Sequence, residues 1–263
     1  MKQIKSDEFM IVKHSYLNNK DYDIARSVED ISKLEKHLNG RTSVPCFEGD
    51  LVQVRETGEI VLTHQNWFPL TKKHYEDLRS RKIAAPLNEV LDKFGRFKQC
   101  NPDQKVVLCF EPKIITADET VYETVYQLRE HGLKDAYFDT FFSDKLKAVE
   151  QANYELGTEY QRSLHLLGNV GNVQFQFDKV VPDGFDITTT PEAVSFGKSK
   201  CPTIYGAVGS IEMLEKISED QNAIGAYARL TEGSGIKGLI KKGWNSITNT
   251  EKLRRIHLSL YEN

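Results

Sequence analysis

Short apolar runs alternate with amphipathic stretches along most of this chain. The runs "EFMIVKH", "VPCFEGDLV", "KVVLCFEPK", "DAYFDTFF", "RSLHLLGN", "GFDITTT", "CPTIYGAV" and "NAIGAYARL" have the length and side-chain content of strands. Between them lie helical patterns. "SVEDISKLEKHL" sets Val28, Ile31, Leu34 and Leu38 at helical spacing, with Ser27 as an N-cap and Gly40 as the stop. "PLNEVLDKF" is entered by Pro86, "ETVYETVYQLREHG" ends at Gly132, and "SDKLKAVEQANYELG" and "SIEMLEKISED" are helical in the same way. "VRETGEIVLTHQ" reads as a hairpin arm, turning at Glu56-Thr57-Gly58 and returning through Ile60 to Leu62.

Strands that alternate with helices predict parallel βαβ units. Eight of them fit an α/β fold of the (β/α)₈ TIM-barrel type, with a β-hairpin inserted after strand two and one domain over residues 1–263. An open doubly wound sheet is the alternative. Against it, "VKHSYLNN" stands where a Gly-rich phosphate loop would follow the first strand.

Composition narrows the picture. With 39% hydrophobic and 28% charged residues, the 263-residue chain is ordinary globular protein. A net charge of −3 gives no overall basic signal, so no nucleic-acid partner is expected. No stretch approaches the roughly 20 apolar residues of a membrane span. The opening "MKQIKSDEFMIVKH" is too polar for a secretory signal, so the expectation is a cytoplasmic protein. Cys46, Cys100, Cys109 and Cys201 form no C-x-x-C pair, which argues against a zinc site.

Active residues of a (β/α)₈ barrel sit at the carboxyl ends of its strands. Strand one ends in His14, strand two in Glu48 and Asp50, and the hairpin return in His64. The third barrel strand ends in Glu111, with Lys113 two residues on. Period-two geometry puts Glu48 and Asp50 on the same strand face, and Glu111 and Lys113 share a face in the same way where the strand continues past Pro112. Three carboxylates facing one point stay ionised together only around a cation, and all-oxygen ligation selects Mg²⁺ or Ca²⁺. Two flanking histidines and a lysine suit phosphoryl chemistry. His165, inside the apolar run "SLHLLG", reads as a core or rim residue.

The order His14, Glu48-x-Asp50, His64, Glu111-x-Lys113 resembles the glycerophosphodiester phosphodiesterase family. It is similar also to the family's relatives among the phosphatidylinositol-specific phospholipase C-like barrels, including the sphingomyelinase D type of phospholipase D. "APLNEVLDKF" also looks like a family helix. The resemblance covers residues 9 to about 146. It implies one divalent ion held by Glu48, Asp50 and Glu111, an acid/base pair of His14 and His64, and Lys113 on phosphate. The implied activity is a metal-dependent phosphodiesterase, hydrolytic or cyclising, with a glycerophosphodiester or lysophospholipid-like substrate. Ser15 replaces the family's arginine, "DIARSVED" stands where "ENT" is usual, and Gln65 replaces an aspartate. In the C-terminal half Thr188, Tyr205, Tyr227 and Arg229 fall near expected strand ends, as candidates to face a substrate. Trp67 and Phe68 follow His64 and form either an apolar lip for a lipid or headgroup, or plain rim packing. Two other readings stay open: a non-catalytic barrel binding a phosphorylated ligand or protein partner, and a barrel enzyme acting on another anionic substrate. The oligomeric state is not legible.

Overall fold

The structure, a computed structural model, describes residues 4–18, 21–64, 69–166, 186–189 and 202–228. These belong to one compact unit spanning Met1–Arg229. The expected single domain over 1–263 extends beyond the described residues.

All eight expected barrel strands form: β1 (Glu8–Lys13), β2 (Thr42–Gln53), β5 (Val107–Pro112), β6 (Ala136–Thr140), β7 (Gln161–Leu166), β8 (Asp186–Thr189), β9 (Thr203–Val208) and β10 (Ala223–Ala228). They run parallel in the order β1-β10-β9-β8-β7-β6-β5-β2, and pairing of β1 with β2 closes the ring. The result is a closed eight-stranded parallel barrel of the TIM type, with six α-helices among the described residues. At the β1–β10 seam Gly225 leaves no room for a side chain, because a Cβ there would lie 2.7 Å from Met10 Cβ.

Side chains that alternate into the barrel pack as one cluster: Met10, Val12, Val44, Cys46, Val107, Cys109, Tyr137, Ile204 and Tyr227. The opposite face of each strand meets the helices. Phe47 of β2, for example, packs on Phe94 of α3 (Leu87–Cys100) with ring centroids 5.6 Å apart. Helices α4 (Asp118–Glu130), α5 (Ser143–Leu156) and α6 (Ile211–Ser218) stand where the pattern predicts them. Gly157 closes α5 in the left-handed conformation that glycine adopts without a Cβ penalty.

Two local expectations are corrected. The first helix, α1 (Ile24–Ser32), starts earlier than Ser27 and is capped by Asp23, whose Oδ1 accepts from Arg26 N–H at 3.0 Å. Ser27 lies inside the helix and hydrogen-bonds Tyr16 Oη at 2.6 Å. The helix also stops sooner; a 3₁₀ turn, Glu35–His37, completes the stretch. The second is an unexpected helix, α2 (Lys72–Ser80), capped by Thr71. Only Tyr75 and Leu78 of α2 are buried, so its periodicity is faint in a polar sequence.

The hairpin insertion is as expected. Beyond the barrel, β2 pairs antiparallel with β3 (Ile60–Leu62), which pairs in turn with the short β4 (Ala85–Pro86). Val52, Val54, Val61, Leu70, Tyr75, Leu78 and Ala84 form a second small core beneath this arm. The arm therefore ties the chain leading to His64 to barrel strand β2, where Thr63 N–H donates to Asp50 C=O at 3.0 Å. No helix among the described residues is long and apolar enough to cross a membrane.

Candidate active site

Glu48 and Asp50 alternate into the barrel mouth from β2, and Glu111 does so from β5. The ladder sets Asp50 opposite Glu111. Glu48 and Asp50 have no exposed surface, and Glu111 is 5% exposed. One ligand oxygen from each lies within 4.8 Å of the others. Between the two β2 carboxylates, Gly49 is packed so closely that a Cβ would come 2.8 Å from Leu17 Cβ. The β1–α1 loop thus presses directly on the strand that carries both acids, and Leu17 N–H donates to Glu48 C=O at 2.9 Å.

Each β2 carboxylate is anchored by one oxygen and presents the other. Asp50 Oδ2 accepts from Asn18 Nδ2 at 2.6 Å and from His64 Nδ1 at 2.9 Å. Asn18 Oδ1 in turn accepts from Asp50 N–H at 3.0 Å. Glu48 Oε2 accepts from the Ser15 backbone N–H, in a turn where Ser15 takes the left-handed conformation with φ 54°. Glu48 Oε1 is buried with no hydrogen-bond partner. Lys113 Nζ, itself buried, is ion-paired with Asp50 Oδ1 and lies 2.5 Å from Glu111 Oε1. The ammonium thus meets Asp50 Oδ1 and Glu111 Oε1 directly, whereas Glu48 feels its charge without a bond to it.

Charge decides the protonation pattern. Two ionised oxygens 4.8 Å apart repel by roughly 3 kcal/mol at an effective dielectric of about 20. One ammonium cannot balance three carboxylates. Burial, with the charges of Asp50 and Glu111, pushes Glu48 well above the usual carboxylate range. Glu111 is raised by burial against the pull of Lys113. Burial acts the same way on Asp50, but Lys113 and His64 overcome it and hold that carboxyl below its ordinary value. Lys113, also desolvated, is nevertheless raised by Glu111 and Asp50. A buried Glu48 oxygen without a partner, three converging carboxyl groups and an all-oxygen donor set fit a hard cation, so this buried Glu/Asp/Glu cluster can hold a metal ion.

The two histidines expected at the rim are there, more exposed than the acids below them. His14 and His64 stand edge to face with ring centroids 5.3 Å apart. Ser15 Oγ lies 3.1 Å from His14 Nδ1 and so helps orient that imidazole. His64 is raised by its hydrogen bond to Asp50, with burial opposing.

The other expected residues divide. Thr188 and Tyr227 do face the barrel interior: Thr188 Oγ1 is 3.0 Å from Ser163 Oγ, and the Tyr227 ring lies 6.1 Å from His14. Tyr205 does not reach the cluster. Its neighbour Ile204 is the inward residue of β9, so alternation turns Tyr205 toward the helices, where its hydroxyl donates to Asp220 Oδ2 at 2.7 Å. Trp67, Phe68 and Arg229 lie outside the described residues.

Two features of the site were not read from sequence. Asn18, in a turn 32 residues before Asp50, is the clamp on that carboxylate. Asp139 at the end of β6 is fully buried and receives three donors: Ser163 Oγ, His165 Nε2 at 2.5 Å and Tyr227 Oη at 2.5 Å. His165, read as core or rim, is a member of this network. An Asp inside the apolar run "AYFDTFF" was the available signal. Comparison with protein-family models and with curated proteins gives no match for this chain.

Proposed function

We propose that this barrel is a metal-dependent phosphodiesterase acting on a glycerophosphodiester or lysophospholipid-like substrate. The observation that carries the reading is the pairing of two arrangements. Three buried carboxylates converge on one point, and two rim histidines 5.3 Å apart stand beside it, His64 bonded to one of the three acids. The motif order His, Glu-x-Asp, His, Glu-x-Lys supports the same reading.

Glu48, Asp50 and Glu111 would hold Mg²⁺ or Ca²⁺. The ion, when bound, would supply Lewis-acid stabilisation of charge on a phosphate oxygen. His64, whose protonated form Asp50 favours, is the general acid that protonates the leaving alcohol. His14, braced by Ser15, takes the proton from the attacking hydroxyl, whether water or a neighbouring group of the substrate. Lys113 balances Asp50 and Glu111. With an ion held by the three carboxylates, the Lys113 ammonium would instead meet a phosphate oxygen.

The same lysine contacts favour a second reading, a barrel that balances its own acids and binds an anionic ligand without catalysis. Incubation with Mg²⁺ or Ca²⁺ and a set of glycerophosphodiesters and lysophospholipids, followed by ³¹P NMR, separates the two. The enzyme reading predicts a monoester or cyclic phosphate product that disappears with chelator and falls on the order of 10²–10⁴-fold in His14→Ala and His64→Ala. Metal-loaded protein that cleaves none of these substrates would leave the binding reading standing.

A further inference from the structure

Asp139 and His165 face the same barrel mouth as the metal cluster but have no part in the chemistry above. In the closed ring β7, which carries His165, stands opposite β1, which leads to His14. The Tyr227 ring lies between the two histidines, with centroids 6.1 Å from His14 and 5.9 Å from His165, edge to face with each. Phe141 closes the far side of His165 at 4.4 Å, also edge to face. The imidazole is therefore fixed in orientation by two rings and one carboxylate.

Its two nitrogens are not equivalent. Nε2 donates to Asp139 Oδ2, the oxygen that also accepts from Tyr227. Nδ1 makes no hydrogen bond among the described residues, and the side chain keeps 15% of its surface exposed. A buried Asp–His pair that leaves one imidazole nitrogen unused is a donor waiting for an acceptor when the ring is charged. Burial works against that charge, but Asp139, and Glu111 beyond it, overcome the penalty and raise His165 above its ordinary value.

We propose that His165, oriented by Asp139, is a further substrate contact: its Nδ1–H donates to an anionic oxygen of the substrate from the wall opposite His14. This rests on the phosphodiesterase reading for the identity of the substrate, but not for the capture of an anion. The oxygen belongs either to the scissile phosphate or to a second acidic group on the alcohol. Asp139 is a positioning residue, acting through the imidazole.

The test uses the full chain with ¹⁵N-labelled histidine, titrated with inorganic phosphate in the presence of Ca²⁺. The inference predicts a saturable shift of the His165 Nδ1 resonance. It also predicts phosphate binding weakened about tenfold or more in His165→Gln, whose amide keeps a donor for Asp139 but has no counterpart of Nδ1, as loss of a charge-assisted hydrogen bond requires. Asp139→Asn should abolish the shift while the chain stays folded by circular dichroism. In turnover, His165→Gln should raise KM more than it lowers kcat. A loss equal for phosphodiesters of uncharged and carboxylate-bearing alcohols assigns the contact to the scissile phosphate, and a loss confined to the latter assigns it to the second group. Turnover with no His165 shift and no change in His165→Gln overturns the inference and leaves the phosphodiesterase reading intact. A His165 shift without turnover supports the inference and removes that reading. Neither response overturns both.

Discussion

His64 Nδ1 donates to Asp50 Oδ2 at 2.9 Å, while the other oxygen of the same carboxylate faces the acidic cluster. One side chain thus serves the proposed general acid and the proposed metal ligands together. Asp50→Asn should damage both functions. His64 is raised by Asp50, so its charged form is favoured below its ordinary value of about 6.5 and through a window above it, and the charge-assisted part of the contact is lost as pH rises through the folded value. In Asp50→Asn the His64 titration, followed by NMR, should move back down toward that ordinary value. An unmoved titration would show that the two residues are not coupled.

Metal binding should release a proton from Glu48. Buried beside two other acids, Glu48 has its titration shifted well upward, so the cation-free protein holds a proton there over a range of pH where an exposed glutamate holds none. A divalent ion must displace it. Affinity for Mg²⁺ or Ca²⁺ should therefore strengthen as pH rises toward the folded Glu48 value and level off beyond it. Calorimetry in buffers of different ionisation enthalpy should count about one proton released. Binding with no proton release at any pH would contradict the assigned protonation.

Asn18→Ala removes the donor to Asp50 Oδ2 and the acceptor for Asp50 N–H in a fully buried place. Leaving such groups unpaired costs about 1–3 kcal/mol. The midpoint of urea unfolding should fall accordingly, and metal affinity should fall with it. A variant with wild-type stability and wild-type affinity would mean that the clamp is dispensable.

Tyr205→Phe should behave in the opposite way. The hydroxyl bonds Asp220 on the helical side of β9. Its removal should cost about 1 kcal/mol of stability, with kcat and KM unchanged. A rise in KM without a stability loss would return Tyr205 to the substrate side.

Most of the architecture was legible because strand and helix periods alternate cleanly in "VPCFEGDLV", "KVVLCFEPK" and their neighbours. The cluster was legible because Glu48, Asp50 and Glu111 end those strands, and strand ends of a closed parallel barrel converge. Facing was harder to read. In β9 Thr203, Ile204 and Tyr205 are all buried, so the pattern does not say that Ile204 turns inward and Tyr205 outward. The Asp139–His165 pair was hidden for a related reason. Each acid or histidine sits singly in an apolar run, and only the ladder that sets Asp139 beside Ser163 brings His165 within reach. Asn18 lies in a turn, where asparagine usually caps or bends the chain locally. Its bond to Asp50 is a tertiary contact that no local pattern records. Helix α2 was missed because two buried residues in nine leave little amphipathic signal.

The central claim is that Glu48, Asp50 and Glu111 share one cation. Anomalous diffraction from crystals grown with Mn²⁺ tests it at the atoms concerned. The account predicts a single strong peak within coordination distance, about 2–2.6 Å, of an oxygen from each of the three carboxylates, with Lys113 Nζ moved away from Asp50 and Glu111. No peak at the cluster, with Lys113 still paired to both acids at saturating Mn²⁺, would contradict it.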